Sequence, residues 1–406
     1  MIYADNAATT KLLPSAFEAM KPYLLDEYAN ASQPYSFSRK SSKALKESRK
    51  IIADCIGALP EEIFFTSGGT ESDNWALKGV VLCDKEPKTI ITSQIEHKAV
   101  LNSCLALERL GHNVIYLPVD GEGVVVKEKS PCHRLLRNQP PQSLRDSSPT
   151  VRGGASFARN EGLSTDYLPN RVTVASIMMA NNEVGTIQPI KKLCEIANKN
   201  GAVFHTDAVQ AVGHIPINVQ KLGLDLLSAS AHKFNGPKGV GFLYIKKGLK
   251  IMPFNDGGAQ EFGFRAGTEN VAGIVGMATA LKYNVENIDK NTRNLKILEE
   301  IIINKLSKAK LDFIHNGSNN RIPGNLSLSF HNSEGEMLLH RLDLMGICVS
   351  TGSACDSKNT QISHVLKAMQ IPEDYSKGTI RISLGKDNTE EDANKIADSL
   401  IRILKL

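Results

Sequence analysis

Along the first 250 residues, short apolar runs alternate with stretches of helical spacing. The runs are Ile63–Thr66, Thr89–Thr92, Val114–Leu117, Val172–Met178, Val203–Thr206, Leu226–Ser228 and Gly241–Ile245. They are too uniformly apolar for strands with one wet face, so they read as seven strands covered on both sides, as in a mostly parallel sheet. Between them the spacing predicts helices such as Glu71–Val81, Ala99–Leu110 and Lys191–Asn200. Leu110-Gly111 and Asn200-Gly201 supply the stop signals. Strands alternating with helices make an α/β fold. From about Asn270 the pattern changes. A long helical stretch, Val271–Lys308, is followed by short strands at Leu326–Phe330 and Thr379–Leu384 and a last helix at Thr389–Leu404, which reads as a smaller α+β domain.

One stretch follows neither period. Between Ser130 and Pro169, Pro, Ser, Arg and Gly are abundant and no run is sustained. A structureless connection of that length is unusual inside a domain, so it reads as a flexible surface insertion. It also gathers most of the charge. Of the net +5, the stretch from Lys127 to Arg171 contributes +4, eight basic residues against four acidic ones. A nucleic-acid surface would have to be this one segment, and nothing else of a binding module accompanies it. Binding to nucleic acid is therefore not expected.

The length of 406 residues suits two domains. No run of about 18 apolar residues is available for a membrane span, and the start Met1-Ile2-Tyr3-Ala4-Asp5 has no signal-peptide pattern. Seven cysteines are widely spaced, with no C-x-x-C pair. That disfavours a disulfide framework or a zinc site and suits a reducing cytoplasm; no metal is expected.

Three motifs carry chemistry. In Thr66-Ser67-Gly68-Gly69-Thr70-Glu71 a strand enters a Gly-rich turn and opens a helix, so backbone N–H groups and the Thr70 hydroxyl can converge on an anion. It lacks the signatures of nucleotide loops, and alone it could be an ordinary capped turn. Asp207, in His205-Thr206-Asp207-Ala208-Val209-Gln210, falls at the carboxyl end of a strand, where α/β ligands sit. A lone Asp there is also a common helix cap. Lys233, in Ser230-Ala231-His232-Lys233-Phe234-Asn235-Gly236-Pro237-Lys238-Gly239, stands between a strand end and a turn. Partial desolvation there favours an imine-forming amine, though many such lysines are merely solvated. An anion nest, an amine and a carboxylate together match what pyridoxal 5'-phosphate needs.

With these motifs in place, the sequence resembles the cysteine desulfurases of the NifS/IscS family, class V aminotransferase-like enzymes of PLP fold type I. The likeness runs over nearly the whole chain outside the 130–169 stretch. It implies a large PLP-binding domain over 15–262 and a small domain made of 1–14 and 263–406. It also implies that Lys233 is the amine that bonds the cofactor's aldehyde, that Asp207 pairs with the ring nitrogen, and that Gln210 bonds the phenolic oxygen. Gly69, Thr70, Ser230 and His232 match phosphate contacts, His97 the imidazole stacked on the ring, and Asn182 a residue beside cofactor and substrate. Arg381, in Gly378-Thr379-Ile380-Arg381, matches the arginine that grips the substrate carboxylate; a planar fork suits that task. Cys355, in Ser350-Thr351-Gly352-Ser353-Ala354-Cys355, matches the persulfide-forming nucleophile. Thr268, in Arg265-Ala266-Gly267-Thr268, resembles the residue that reaches the neighbouring subunit's phosphate, which implies a homodimer.

The expected activity is conversion of L-cysteine to L-alanine, with sulfur passed through Cys355 to an acceptor protein, an iron–sulfur scaffold or a tRNA thiolation enzyme. The alternatives are another fold type I lyase or aminotransferase, selenocysteine lyase being nearest, or a silent homologue kept as a binding partner. A transaminase needs no thiol at Cys355, and a silent homologue has no physical reason to keep all of Lys233, Asp207, His97, Cys355 and Arg381. The chain departs from the family near residue 30. Asn30 is kept, but Ala31-Ser32-Gln33-Pro34-Tyr35-Ser36-Phe37-Ser38-Arg39 replaces the usual Pro-Ser-Ser and His-x-x-Gly, so the substrate side is expected to be packed differently.

Overall fold

Buried apolar residues build two cores, one lying on both faces of the large sheet and one formed by the C-terminal third together with the start of the chain. A computed structural model describes residues 1–126, 172–351 and 362–405. The stretch 130–169 and Cys355 lie outside the described residues.

In chain order the strands are β1 (Ile2–Tyr3), β2 (Ile63–Thr66), β3 (Thr89–Ser93), β4 (Asn113–Leu117), β5 (Val172–Ser176), β6 (Val203–Asp207), β7 (Leu226–Ser230), β8 (Gly241–Ile245), β9 (Phe313–His315), β10 (Asn325–Phe330), β11 (Ile347–Cys348) and β12 (Thr379–Ser383). The seven expected runs form one sheet in the order β2-β8-β7-β6-β5-β3-β4, in which β8 alone runs against its neighbours. Every residue of β2, β7 and β8 is buried, which is why these runs do not alternate. Short βα turns place the carboxyl ends of the parallel strands along one edge, the edge at which such sheets hold ligands.

The helices that matter to that edge are α1 (Gly69–Val81) and α2 (Lys98–Arg109), which pack together on one face of the sheet. α1 begins two residues earlier than its apolar spacing predicts, directly from Gly68. His97 caps α2, its Nδ1 accepting the Ala99 N–H at 3.2 Å. A side-chain acceptor at that position satisfies one of the orphan donors of the first turn.

The stretch expected to be one helix over 271–308 is two, α3 (Val271–Glu286) and α4 (Ile288–Lys308). Asn287 separates them at φ −115° and ψ 8°, its N–H turned back to the Asn284 carbonyl at 3.0 Å. The apolar period runs through the joint, whereas asparagine leaves a helix readily by bonding nearby backbone. On α4, Leu295, Leu298, Ile302 and Leu306 make a buried stripe that joins β10, β12 and the last helix, α5 (Glu390–Leu404), in a second core. Ile2 and Ala4 complete that core, because β1 pairs in parallel with β11. Chain start and C-terminal third thus meet, and the seam between the cores opens on the ligand edge of the large sheet. Among the described residues no helix is long and apolar enough to cross a membrane.

Candidate active site

A cavity of about 530 Å³ lies at the carboxyl ends of the parallel strands. Ten of the residues singled out in the sequence line it: Gly69, Thr70, His97, Asn182, Asp207, Gln210, Ser230, His232, Lys233 and Arg381. Thr268 does not; it is exposed, on the segment between Gly267 and the start of α3. Cys355 lies outside the described residues.

One end of the cavity is built to hold an anion. β2 ends at Thr66, and Gly68 turns the chain into α1 at φ 150°, a backbone angle that favours glycine. A Cβ on Gly241 of β8 would come within 2.7 Å of Gly68 Cα, so the turn rests directly on the neighbouring strand. Ser230 and His232 face the turn from the end of β7. His232 Nδ1 bonds Thr9 Oγ1 at 3.1 Å, which leaves Nε2 as the ring nitrogen available to an anion. Burial, with Lys233 and Lys238 nearby, pushes the His232 imidazole down to about 4, so it is neutral near pH 7.

The other end holds the proton chemistry. Asp207 is 5% exposed, and its Oδ1 accepts the Val209 N–H at 2.9 Å. Burial raises its carboxyl, opposed by His97, by that N–H and by Lys233. His97 is moved the other way, since burial lowers its imidazole. With Nδ1 accepting from Ala99, the neutral ring carries its proton on Nε2. Lys233 Nζ donates to the carbonyls of Ala7 at 2.6 Å and Ala8 at 2.8 Å, and Gln210 Nε2 donates to Ala7 at 3.0 Å. Nothing near Lys233 in the sequence announces those carbonyls, which arrive from the other end of the chain.

Arg381 stands at the seam. It is 3% exposed, with Nη1 on the Asn182 carbonyl at 2.8 Å and Nη2 on Asp5 Oδ1 at 2.7 Å. Its buried Nε has no hydrogen-bond partner among the described residues. The Arg381 backbone pairs both ways with Ser350. Ser363 bonds Glu183 at 2.5 Å, and His364 Nε2 meets the carbonyl of Glu96, next to His97, at 3.1 Å. Ser350, Ser363 and His364 are thus each bonded to a residue in or next to the cavity wall.

Sequence reasoning missed Asp5, the Ala7 and Ala8 carbonyls, Thr9 and Asp73, all of which line the cavity or hold a residue that does. Asp73 had a signal. It shares a face of α1 with Ala76, Leu77 and Val80, and an acid on a buried helix face needs a reason.

The residues present fit pyridoxal 5'-phosphate. A buried carboxylate with a single backbone donor suits a protonated ring nitrogen, a Gly turn at a helix N-terminus suits a phosphate, and an amine stands between them. The volume holds such a group together with a small amino acid.

The aminotransferase class-V family model matches residues 2–138 and 158–396. The cysteine desulfurase IscS of Dictyoglomus turgidum is 46% identical over 406 residues, covering 100% of this chain and 94% of the relative. That of Methanosarcina thermophila is 44% identical, covering 100% of this chain and 92% of the relative. Among solved structures, a NifS-like protein superposes with a TM-score of 0.85 at 36% identity, covering 100% of this chain and 99% of that one. The NifS-like protein of Rickettsia africae superposes with a TM-score of 0.80 at 30% identity over the full length of both chains.

Proposed function

The chain belongs to the aminotransferase class-V family and, within it, to the cysteine desulfurases, and on that premise we propose that the cavity is where L-cysteine loses its sulfur and leaves as L-alanine. One observation carries the reading: Lys233, Asp207, His97 and Arg381 line a single cavity whose anion-holding turn lies at its other end.

Pyridoxal 5'-phosphate, when bound, supplies a conjugated ring that accepts electrons from the substrate's α-carbon. Asp207 holds the ring nitrogen protonated, while Thr70, Gly69, Ser230 and His232 hold the phosphate and Gln210 the phenolic oxygen. Arg381 grips the substrate carboxylate. Its fork is already aimed by Asp5 and the Asn182 carbonyl, so the substrate meets an oriented guanidinium rather than a mobile one. Lys233 Nζ would take the substrate's α-proton and hold it for return later in the reaction. His97, with its proton on Nε2, would relay protons within the cavity. Cys355 Sγ, as thiolate, attacks the substrate sulfur; the S–S bond forms as the C–S bond breaks, and that electron pair stays with the carbon that becomes the alanine methyl group. The Cys355 persulfide passes its outer sulfur to an acceptor protein, an iron–sulfur scaffold or a tRNA thiolation enzyme, in the cytoplasm.

The sites are completed in a homodimer. What supports this is the exposure of Thr268 on the segment that also carries Phe262, 63% exposed, close to the phosphate end through the Arg265–Glu71 ion pair at 2.9 Å. The test is purified protein loaded with pyridoxal 5'-phosphate and given L-cysteine and a thiol reductant. Alanine and sulfide should appear in equal amounts, and Lys233→Ala should abolish both. A loaded protein that releases pyruvate, or no alanine, would refute the reading.

A further inference from the structure

The floor of the cavity holds a second carboxyl that the reaction above leaves unused. Asp73, on α1, is 1% exposed and lines the cavity. One oxygen of Asp73, one of Asp207 and a ring nitrogen of His97 lie within 4.8 Å of one another. Asp73 Oδ1 is buried with no hydrogen-bond partner among the described residues. His205 Nε2 is 3.7 Å away, beyond hydrogen-bond range. That imidazole is already engaged on both sides, by Ser176 Oγ at 2.8 Å and Ser228 Oγ at 2.9 Å. Burial pushes it down to about 3, so it brings no positive charge.

The groups turned toward Asp73 make an anion there unfavourable. Asp207 and Glu96 are acids, and His205 is neutral. His97, in contact range from the start of α2, is also held toward its neutral form by burial. Lys233, His97 and the Val209 N–H act on Asp207. Two buried carboxyls this close do not both ionise, and the proton goes to the one with less to stabilise its charge. Asp207 has that support from Lys233, His97 and the Val209 N–H, whereas at Asp73 the Ser228 hydroxyl favours the charge against burial, Asp207 and Glu96. Burial first, then Asp207, drives the Asp73 carboxyl well above the ordinary carboxylate range.

We propose that Asp73 is a positioning residue that works as a neutral acid, keeping its proton at neutral pH and presenting it to the Asp207 carboxylate across a gap of no more than 4.8 Å, so that Asp207 meets the cofactor's ring nitrogen as the sole anion on the cavity floor. A gap of that size is one a bridging water spans. The consequence for the ring rests on the cofactor reading above; the protonation of Asp73 does not.

Two measurements test it, the first on the protein with and without cofactor and the second on the cofactor-loaded protein. Infrared difference spectra of wild type against Asp73→Asn, at neutral pH, should show the carbonyl stretch of a protonated carboxyl lost in the variant. Loss of a carboxylate band instead overturns the proposal. Visible absorption of the bound cofactor is then followed against pH in wild type, Asp73→Asn and Asp73→Ala. Asp73→Asn keeps a neutral donor and should leave the midpoint in place, whereas Asp73→Ala should move it by about one pH unit. Equal midpoints in all three, or an Asp73→Asn protein that loses the cofactor, would overturn the role. A wild type that takes up no cofactor would refute the cofactor reading alone, because the infrared band reads Asp73 without it.

Discussion

Arg381 and Asp5 form an ion pair at 2.7 Å across the seam between the two cores, although 376 positions separate them in the chain. The pair spends one arm of the guanidinium on orientation and leaves the buried Nε for a second acceptor. Charge and planarity are both needed, because an ammonium cannot hold Asp5, the Asn182 carbonyl and a carboxylate in one plane. Arg381→Lys should therefore raise the KM for L-cysteine by about 10–100-fold, the worth of one charged hydrogen bond, and leave the cofactor's absorption unchanged. Steady-state kinetics beside an absorption spectrum check both halves.

The anion turn depends on the absence of a side chain on the strand beneath it. A Cβ at Gly241 would stand 2.5 Å from the Ala229 carbonyl oxygen and 2.7 Å from Gly68 Cα. These are backbone atoms that cannot step aside cheaply, and overpacking of this kind costs about 1–3 kcal/mol. Gly241→Ala should lower Tm by several degrees and weaken pyridoxal 5'-phosphate binding more than it weakens binding of L-cysteine to the loaded enzyme. Thermal unfolding with and without cofactor separates the two effects.

Glu96 gives the fold a pH dependence opposite in sign to that of a surface acid. It is fully buried, accepting from Ser93 Oγ at 2.6 Å and from the Met178 N–H, and burial pushes its carboxyl up to about 8 from an ordinary 4.5. Between those values the folded chain keeps a proton that the unfolded chain has released. The stability that this proton contributes is complete below about 4.5 and is lost as the pH rises through about 8. Glu96→Gln removes that dependence. Denaturant unfolding at several pH values should show the variant gaining on wild type from pH 5 to pH 8, by up to about 1 kcal/mol per pH unit.

The histidines pull the other way. Burial holds His205 at about 3 and His315 at about 4, below the ordinary 6.5, so each resists protonation in the folded state. Their contribution is complete above about 6.5 and fades as the pH falls toward those values. His205→Gln should flatten the acid side of the stability profile and leave the alkaline side as it was, measured in the same unfolding series.

How much of this was legible in the sequence follows from the range of the forces involved. β2 and β8 match their predicted bounds to the residue, because each is an apolar run closed by turn-forming residues. The Gly68 turn, Asp207 and Lys233 could be placed because each sits where a strand ends, a local fact. The break at Asn287 was hidden by an apolar period that continues through it. The carbonyls of Ala7 and Ala8 on Lys233 and the carboxylate of Asp5 on Arg381 are contacts between distant segments, and nothing local encodes them. Thr268 was placed through the family resemblance, and the single chain leaves it exposed.

The central claim is that sulfur leaves L-cysteine by way of Cys355. Loaded wild type and Cys355→Ser are given L-cysteine, the reaction is stopped with an alkylating agent, and the peptides are mapped by mass spectrometry. The account predicts one added sulfur on the Cys355 peptide of wild type, and a Cys355→Ser protein that keeps the cofactor's absorption but forms no alanine beyond background. Alanine formed at the wild-type rate by Cys355→Ser, or the extra sulfur found on another cysteine, would contradict it.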